Sequence, residues 1–211
     1  MDYQPLKYIY RPVPGESYTL LLLHGTGGDE QDLLSLAHYF GNNMNLLSLR
    51  GNVLEHGMPR FFRRISMGVF DEDDLRFRTG EMAACIQGLS KQEGFDPNKI
   101  IALGYSNGAN IAAASLLLYP SLLAGAILFR PMRPFREEVT PPGFHTAVPV
   151  FMSSGAQDPT VAEGASEAYA TWMQTLGFQV QHEVLPAGHQ LTHRDIELAA
   201  TWCREHFPAA F

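Results

Sequence analysis

Seven short, nearly unbroken apolar runs punctuate the chain: residues 6–11 (LKYIYR), 18–23 (YTLLLL), 45–49 (NLLSL), 99–103 (KIIAL), 124–129 (AGAILF), 148–154 (VPVFMSS) and 178–185 (FQVQHEVL). A strand wetted on one face alternates apolar and polar residues, whereas a strand covered on both faces is apolar throughout, as in a parallel sheet. Helical patterns fall between these runs. Leu33, Ala37 and Phe40 share one face, as do Met82, Ile86 and Leu89. Thr160 and Glu163 have capping-box spacing and predict a helix running to about Leu176. Thr192 with Asp195 repeats that spacing ahead of the stripe Ile196, Ala200, Cys203 and Phe207. The expectation is an α/β fold with a doubly wound, mostly parallel sheet and right-handed crossovers, spanning residues 1–211 as one domain. Residues 51–74 fit neither period and are expected to form a long irregular segment, which inside a domain is usually functional.

The junction between the fourth run and the helix after it reads Gly104-Tyr105-Ser106-Asn107-Gly108. A serine between glycines at a strand-to-helix turn is the G-x-S-x-G nucleophile elbow. The turn is tight enough to exclude side chains at the glycines, and it holds the serine strained with its hydroxyl above the sheet edge. The helix starts at the same point, so its unpaired N–H groups face a developing oxyanion.

A serine hydroxyl needs a base, and the base needs an orienting group. In this arrangement the chain order is Ser, then Asp or Glu, then His. The sixth run ends in GAQDPT, placing Asp158 at a carboxyl end, and the seventh runs into PAGHQ, placing His189 in the following loop. Upstream, the second run leads into HGTGGDE, a glycine-rich loop of the HGGG type that can supply an oxyanion donor. The predicted donors are the backbone N–H groups of Thr26 and Asn107. His24 is read as a structural support of that loop and His193 as a helix-surface residue. His182 lies inside a strand, and His38, His145 and His206 have no chemical company. The run Asp71, Glu72, Asp73 and Asp74 reads as a solvated turn entering a helix N-terminus.

A chain of 211 residues with 45% hydrophobic content supports one sizeable core. Its net charge of −7 excludes nucleic acid and anionic membranes as partners, since both need a basic footprint. Cys85 and Cys203 have no metal spacing and read as free thiols of a reducing compartment. The apolar stretch 109–129 is interrupted by Pro120 and Ser121, and the N-terminus lacks a secretory pattern. A soluble cytoplasmic protein with no metal and no organic cofactor is expected, and a homodimer is compatible with the sequence.

The blocks LLHGTGGDE, GYSNGAN, GAQDP and AGHQL resemble the carboxylesterase/phospholipase branch of the α/β-hydrolase superfamily, which includes the acyl-protein thioesterases. The segment RGNVLEHGMPRFFRR…GVFDEDDL is similar to a bacterial subgroup of predicted esterases that includes hydrolases associated with methylhydroquinone stress. The resemblance implies a compact α/β-hydrolase fold without a separate lid domain. It also implies Ser106 as nucleophile, Asp158 as acid, His189 as base, and Thr26 and Asn107 as oxyanion donors. Acyl-protein thioesterases commonly carry glutamine where this chain has Asn107.

The expected activity is hydrolysis of small carboxylic esters through an acyl-enzyme on Ser106. The alternatives are an acyl thioesterase or lysophospholipase, and a non-catalytic ligand-binding protein of the same fold. Gly25, Met58, Phe61 and Phe62 are the candidate pocket residues. The aromatic and basic MPRFFRR suits a compact, aromatic or acidic ester. The competing reading makes Phe61 and Phe62 core anchors and pairs the arginines with the acidic run.

Overall fold

The computed structural model describes residues 2–15, 17–137, 139 and 147–211, so His145 lies outside the described residues. The first strands are β1 (Tyr8–Arg11), β2 (Thr19–Leu23) and β3 (Asn45–Leu49). Four short strands follow: β4 (Val53–Glu55), β5 (Met58–Arg60), β6 (Arg64–Ser66) and β7 (Val69–Phe70). The rest of the chain alternates as α1 (Glu72–Glu93), β8 (Ile100–Tyr105), α2 (Asn107–Leu118), β9 (Gly125–Phe129), β10 (Pro149–Gly155), α3 (Ala165–Thr175), β11 (Gln179–Leu185) and α4 (His193–His206).

Among the described residues, seven strands pair in the order β1-β3-β2-β8-β9-β10-β11. Of these, only β1, at one edge, is antiparallel to its neighbour. All seven correspond to the seven apolar runs, and the sheet is the expected mostly parallel one. Successive side chains explain why the runs are apolar throughout. Leu21, Leu23, Ala102, Ala126, Leu128, Val150 and Met152 enter one core with residues of α1, α2 and α3. Leu20, Leu22, Ile101, Leu103, Ile127, Phe129 and Phe151 enter the other, with α4 and the 3-10 turn Leu34–Phe40. Strand alternation thus feeds two cores at once. Each fully buried leucine of β2 contributes about 1.5–3 kcal/mol by leaving water.

From β2 the chain steps outward to β3, then returns to lay β8 on the other side of β2. That reversal opens a crevice beyond the carboxyl ends of β2 and β8, the usual ligand position in such sheets.

Three local expectations are corrected. Residues 51–74 are not irregular: β4 pairs with β5 and β6 with β7 as two small hairpins, and α1 begins at Glu72. The Asp71 side chain caps α1 by accepting from Asp74 N, while Asp74 itself is buried and accepts from Arg63 N at 2.7 Å rather than facing solvent. Thr160 opens no helix, because its N–H and hydroxyl are drawn to Asp158, and α3 starts after Gly164. The Thr192–Asp195 capping box does form. Stretch 109–129 divides into most of α2, a short connection and β9, and among the described residues no helix is long and apolar enough to cross a membrane.

Candidate active site

Between β8 and α2 the backbone turns within one residue, and Ser106 takes φ +51° and ψ −111°. A non-glycine residue in the left-handed half of conformational space is held there by its surroundings at a cost of about 1–3 kcal/mol. The flanking glycines leave no choice of turn. A Cβ on Gly108 would lie 2.0 Å from Leu23 O, and one on Gly104 would lie 2.5 Å from Gly108 O. The elbow is therefore pressed against the end of β2. Asn107 opens α2, where backbone N–H groups have no intrahelical acceptor.

His189 lies in the loop after β11, and its Nε2 is 3.0 Å from Ser106 Oγ. On the other ring edge, Nδ1 is 2.7 Å from Asp158 Oδ2. Asp158 follows β10, and its second oxygen accepts from Thr160 N at 2.9 Å and from the Thr160 hydroxyl at 2.6 Å. Burial works to raise the Asp158 carboxyl, but the bonds from Thr160 and His189 outweigh it and hold the group below its ordinary value. An ionised Asp158 is acceptor-only, so His189 must carry its proton on Nδ1. That leaves Nε2 as the acceptor for the serine hydroxyl. Ser106, Asp158 and His189 are thus brought together from the ends of three strands.

The backbone around His189 is clamped. Arg130, fully buried at the end of β9, donates to Gly188 O and to Gln190 O, each at 3.0 Å. Its other guanidinium nitrogen contacts join it to Asp195 at 2.7 and 2.9 Å, and Asp195 also accepts from Ser153 Oγ. Tyr105, next to the serine, donates its hydroxyl to His189 O at 3.1 Å.

The loop after β2 is pinned from several sides. His24 Nδ1 lies 2.6 Å from Gly25 O, and its Nε2 lies 3.1 Å from Gly51 N. Because Gly51 N can only donate, Nε2 must accept and Nδ1 must carry the proton, so His24 is neutral and structural. Its burial also lowers its pKa. Thr26 Oγ1 accepts from Arg60 Nη1 at 2.6 Å, and Gly27 N donates to Pro59 O at 2.9 Å. Asn107 Oδ1 accepts from Phe61 N at 2.7 Å. The first hairpin thus ties the loop to the elbow.

A cavity of about 240 Å³ opens beside these groups. Thr26, Ser106, Asn107 and His189 line one part of it, and Arg60, Arg64, Met67 and Phe70 another. Asn110 and Met132 border the remainder. The candidate pocket residues are corrected here, because Gly25, Met58, Phe61 and Phe62 do not line it. Phe61 is 2% exposed and packs on the His24 ring at 4.7 Å, and Phe62 is wholly buried with its edge against Phe70. Gly25 backs onto Tyr105, and Met58 lies 40% exposed over Gly27. Both phenylalanines are core anchors. Of the arginines, Arg63 pairs with Asp71 and Asp74, but Arg60 and Arg64 pair with Glu55.

Sequence reasoning missed Arg130 and Phe70, read Thr160 only as a helix cap, and met Arg64 only within the basic stretch MPRFFRR. Arg130 left a trace, as a charged residue directly ending an entirely apolar strand. Among the described residues no group of three or more His, Cys, Asp or Glu side chains is placed to hold a metal ion.

This fold and this clustering are those of an α/β-hydrolase. The family model described as Phospholipase/Carboxylesterase matches residues 7–207, and the chain belongs to that family. MhqD of Bacillus subtilis (strain 168) is 44% identical over 200 residues, covering 95% of this chain and 98% of MhqD. A carboxylesterase of Bacillus cereus, known from its crystal structure, superimposes with a TM-score of 0.91 at 42% identity, covering 96% of this chain and 95% of that one. The structure of YahD with malic acid matches with a TM-score of 0.88 at 29% identity, covering 95% and 99% of the two chains. The protein is a hydrolase of the carboxylesterase type, acting on ester bonds.

Proposed function

We propose that the protein is a serine carboxylesterase that cleaves small carboxylic esters through an acyl-enzyme on Ser106. The observation that carries this reading is the relay of contacts from Ser106 Oγ to His189 Nε2 at 3.0 Å and from His189 Nδ1 to Asp158 at 2.7 Å. His189 takes the serine proton as Oγ attacks the ester carbonyl, and the tetrahedral oxyanion is received by the N–H groups of Thr26 and Asn107. Collapse expels the alcohol, which takes the proton from His189. A water molecule, deprotonated by the same histidine, then releases the acid and restores Ser106. Asp158 holds the imidazole in the required tautomer and stabilises its protonated form.

The size of the cavity, about 240 Å³, supports compact substrates, because it falls below the usual range for drug-sized ligands. Malic acid, named with the YahD structure, is likewise a compact molecule. The test is labelling with a fluorophosphonate probe alongside turnover of acetyl and butyryl aryl esters. Wild type is expected to label and to hydrolyse them faster than dodecanoyl esters, and Ser106→Ala to do neither. Labelling that survives in Ser106→Ala, or a preference for long acyl chains or thioesters, would overturn this reading.

A further inference from the structure

Arg60 and Arg64 both border the cavity beside Ser106, and among the described residues no aspartate or glutamate does. Their common counter-charge is Glu55, at the end of β4. Arg64 holds it with Nε at 3.0 Å and Nη2 at 2.8 Å, while Arg60 Nη1 stands 3.5 Å from the same carboxylate. Two guanidinium groups share one carboxylate, which leaves an excess positive charge at the cavity wall. The two cations feel one another: burial first, and then the Arg64 charge, pull the Arg60 guanidinium below its ordinary value.

The two arginines differ in what holds them. Arg60 is 3% exposed and committed to the surrounding loops, donating to Phe62 O at 3.1 Å and to Thr26 Oγ1 at 2.6 Å. Arg64 is more open, and its Nη1 has the Met67 sulfur at 3.3 Å as its acceptor. A thioether is a weak acceptor, easily exchanged for an anion. The neighbouring amide adds to the same polarity. Asn110 Oδ1 is engaged by Met132 N at 2.7 Å, which leaves its NH₂ as the donor on a residue that borders the cavity. A lining rich in donors, with surplus positive charge and no carboxylate, complements a negatively charged ligand.

We propose that the substrates of this site are esters bearing a second, ionised carboxylate, and that Arg64 recognises that carboxylate. The proposal rests on the esterase reading above and specifies its substrate class. Hydrolysis consumes one water and breaks only the ester bond. A substrate with the carboxylate on the acyl side yields a dicarboxylate and an alcohol, and one with it on the alcohol side yields a monocarboxylate and a hydroxy acid.

Two pairs of esters separate these arms. On the acyl side, the 4-nitrophenyl monoester of glutaric acid is compared with 4-nitrophenyl valerate. On the alcohol side, 4-acetoxybenzoate is compared with 4-methylphenyl acetate, each rate being divided by that ester's hydroxide-catalysed rate. In wild type at least one pair should favour the anionic member in kcat/KM by about tenfold or more, the scale of one charge-assisted hydrogen bond. Raising the salt concentration should shrink that preference. Arg64→Gln should reduce the ratio by about tenfold, and Arg64→Lys should recover part of it. Should Arg64→Gln not fold, competition by free glutarate against 4-nitrophenyl valerate in wild type, at constant ionic strength, tests the same recognition. Ratios near one in both pairs, a preference untouched by Arg64→Gln, or an absence of competition by glutarate would overturn the proposal while leaving the esterase reading intact. Failure of all four esters together with loss of Ser106 labelling would instead overturn the esterase reading itself, and the proposal with it.

Discussion

Arg130 and Asp195 meet in a fully buried, two-bond ion pair, with nitrogen–oxygen distances of 2.7 and 2.9 Å, behind the loop that carries His189. The same guanidinium donates to the carbonyl oxygens of Gly188 and Gln190, the residues on either side of His189. The ion pair and the imidazole are therefore one mechanical unit. The guanidinium spends five N–H donors on Gly188, Gln190, Ser153 and Asp195, and an ammonium has only three.

Arg130→Lys is accordingly expected to destabilise the fold by about 2–3 kcal/mol, since it keeps the charge but leaves at least two buried acceptors without a donor. It should also lower kcat more than it raises KM, because the proposed base loses its position while the arginine side of the cavity is untouched. Denaturant unfolding and steady-state kinetics check both effects. A stability change below about 1 kcal/mol would contradict the clamp.

Acid sensitivity follows from Asp195. Burial alone would raise its carboxyl, but bonds from Arg130, Ser153 and Thr192 outweigh that and hold it below the ordinary value of 3.8. A carboxyl depressed in the folded state binds its proton more readily when unfolded. Its stabilisation is thus complete above the unfolded value and is lost as pH falls through the folded one. The stability gap between wild type and Asp195→Asn should therefore be wide near about pH 6 and narrow towards about pH 3. A gap constant over that range would contradict the assignment.

Strain at the elbow gives a third stability prediction. Ser106→Ala keeps the left-handed conformation and removes the proposed nucleophile, so turnover should fall by about 10⁴ to 10⁶ with little relief of strain. Ser106→Gly should be equally inactive yet more stable than Ser106→Ala by about 1 kcal/mol, because glycine adopts φ +51° freely. Thermal unfolding of the two variants decides the matter, and a less stable glycine variant would count against strain.

The aromatic pair and its neighbour should separate cleanly. Phe62→Ala empties a fully buried site and is expected to cost about 3–5 kcal/mol of stability. Phe70→Ala, at the partly exposed cavity wall, should cost less and shift acyl preference towards longer chains. Unfolding free energies and a series of acyl esters from acetyl to octanoyl measure the contrast. An unchanged acyl profile in Phe70→Ala would remove that residue from the pocket.

The strands and the elbow were legible because their causes are local. An apolar run declares a strand covered on both faces, and Gly104 and Gly108 declare a turn with no room for side chains. The hairpins of residues 53–70 were not legible, since strands of two or three residues are too short to display a period. Phe61 and Phe62 misled for a related reason. Adjacent residues on a bent segment can both be buried, so their chemistry suggested a pocket where their packing made a core. Thr160 had the spacing of a cap, but Asp158, two residues earlier, competes for the same hydrogen bonds. Arg64 and Glu55 belong to different hairpins and meet only after the β4–β5 reversal, and no linear spacing announces that.

Among the described residues β11 is an edge strand paired with β10 alone, and the loop it leads into carries His189. Ser106 and the loop holding Thr26 belong instead to the middle of the sheet, where β2 and β8 are each flanked on both sides. Peripheral elements open at lower free energy than central ones, in fluctuations that stop short of global unfolding. A transient parting of that outer seam would withdraw the base while leaving the serine's cradle standing. In the proposed mechanism the base therefore hangs from the border of the sheet, and the buried Arg130–Asp195 pair is what fastens that border to the interior.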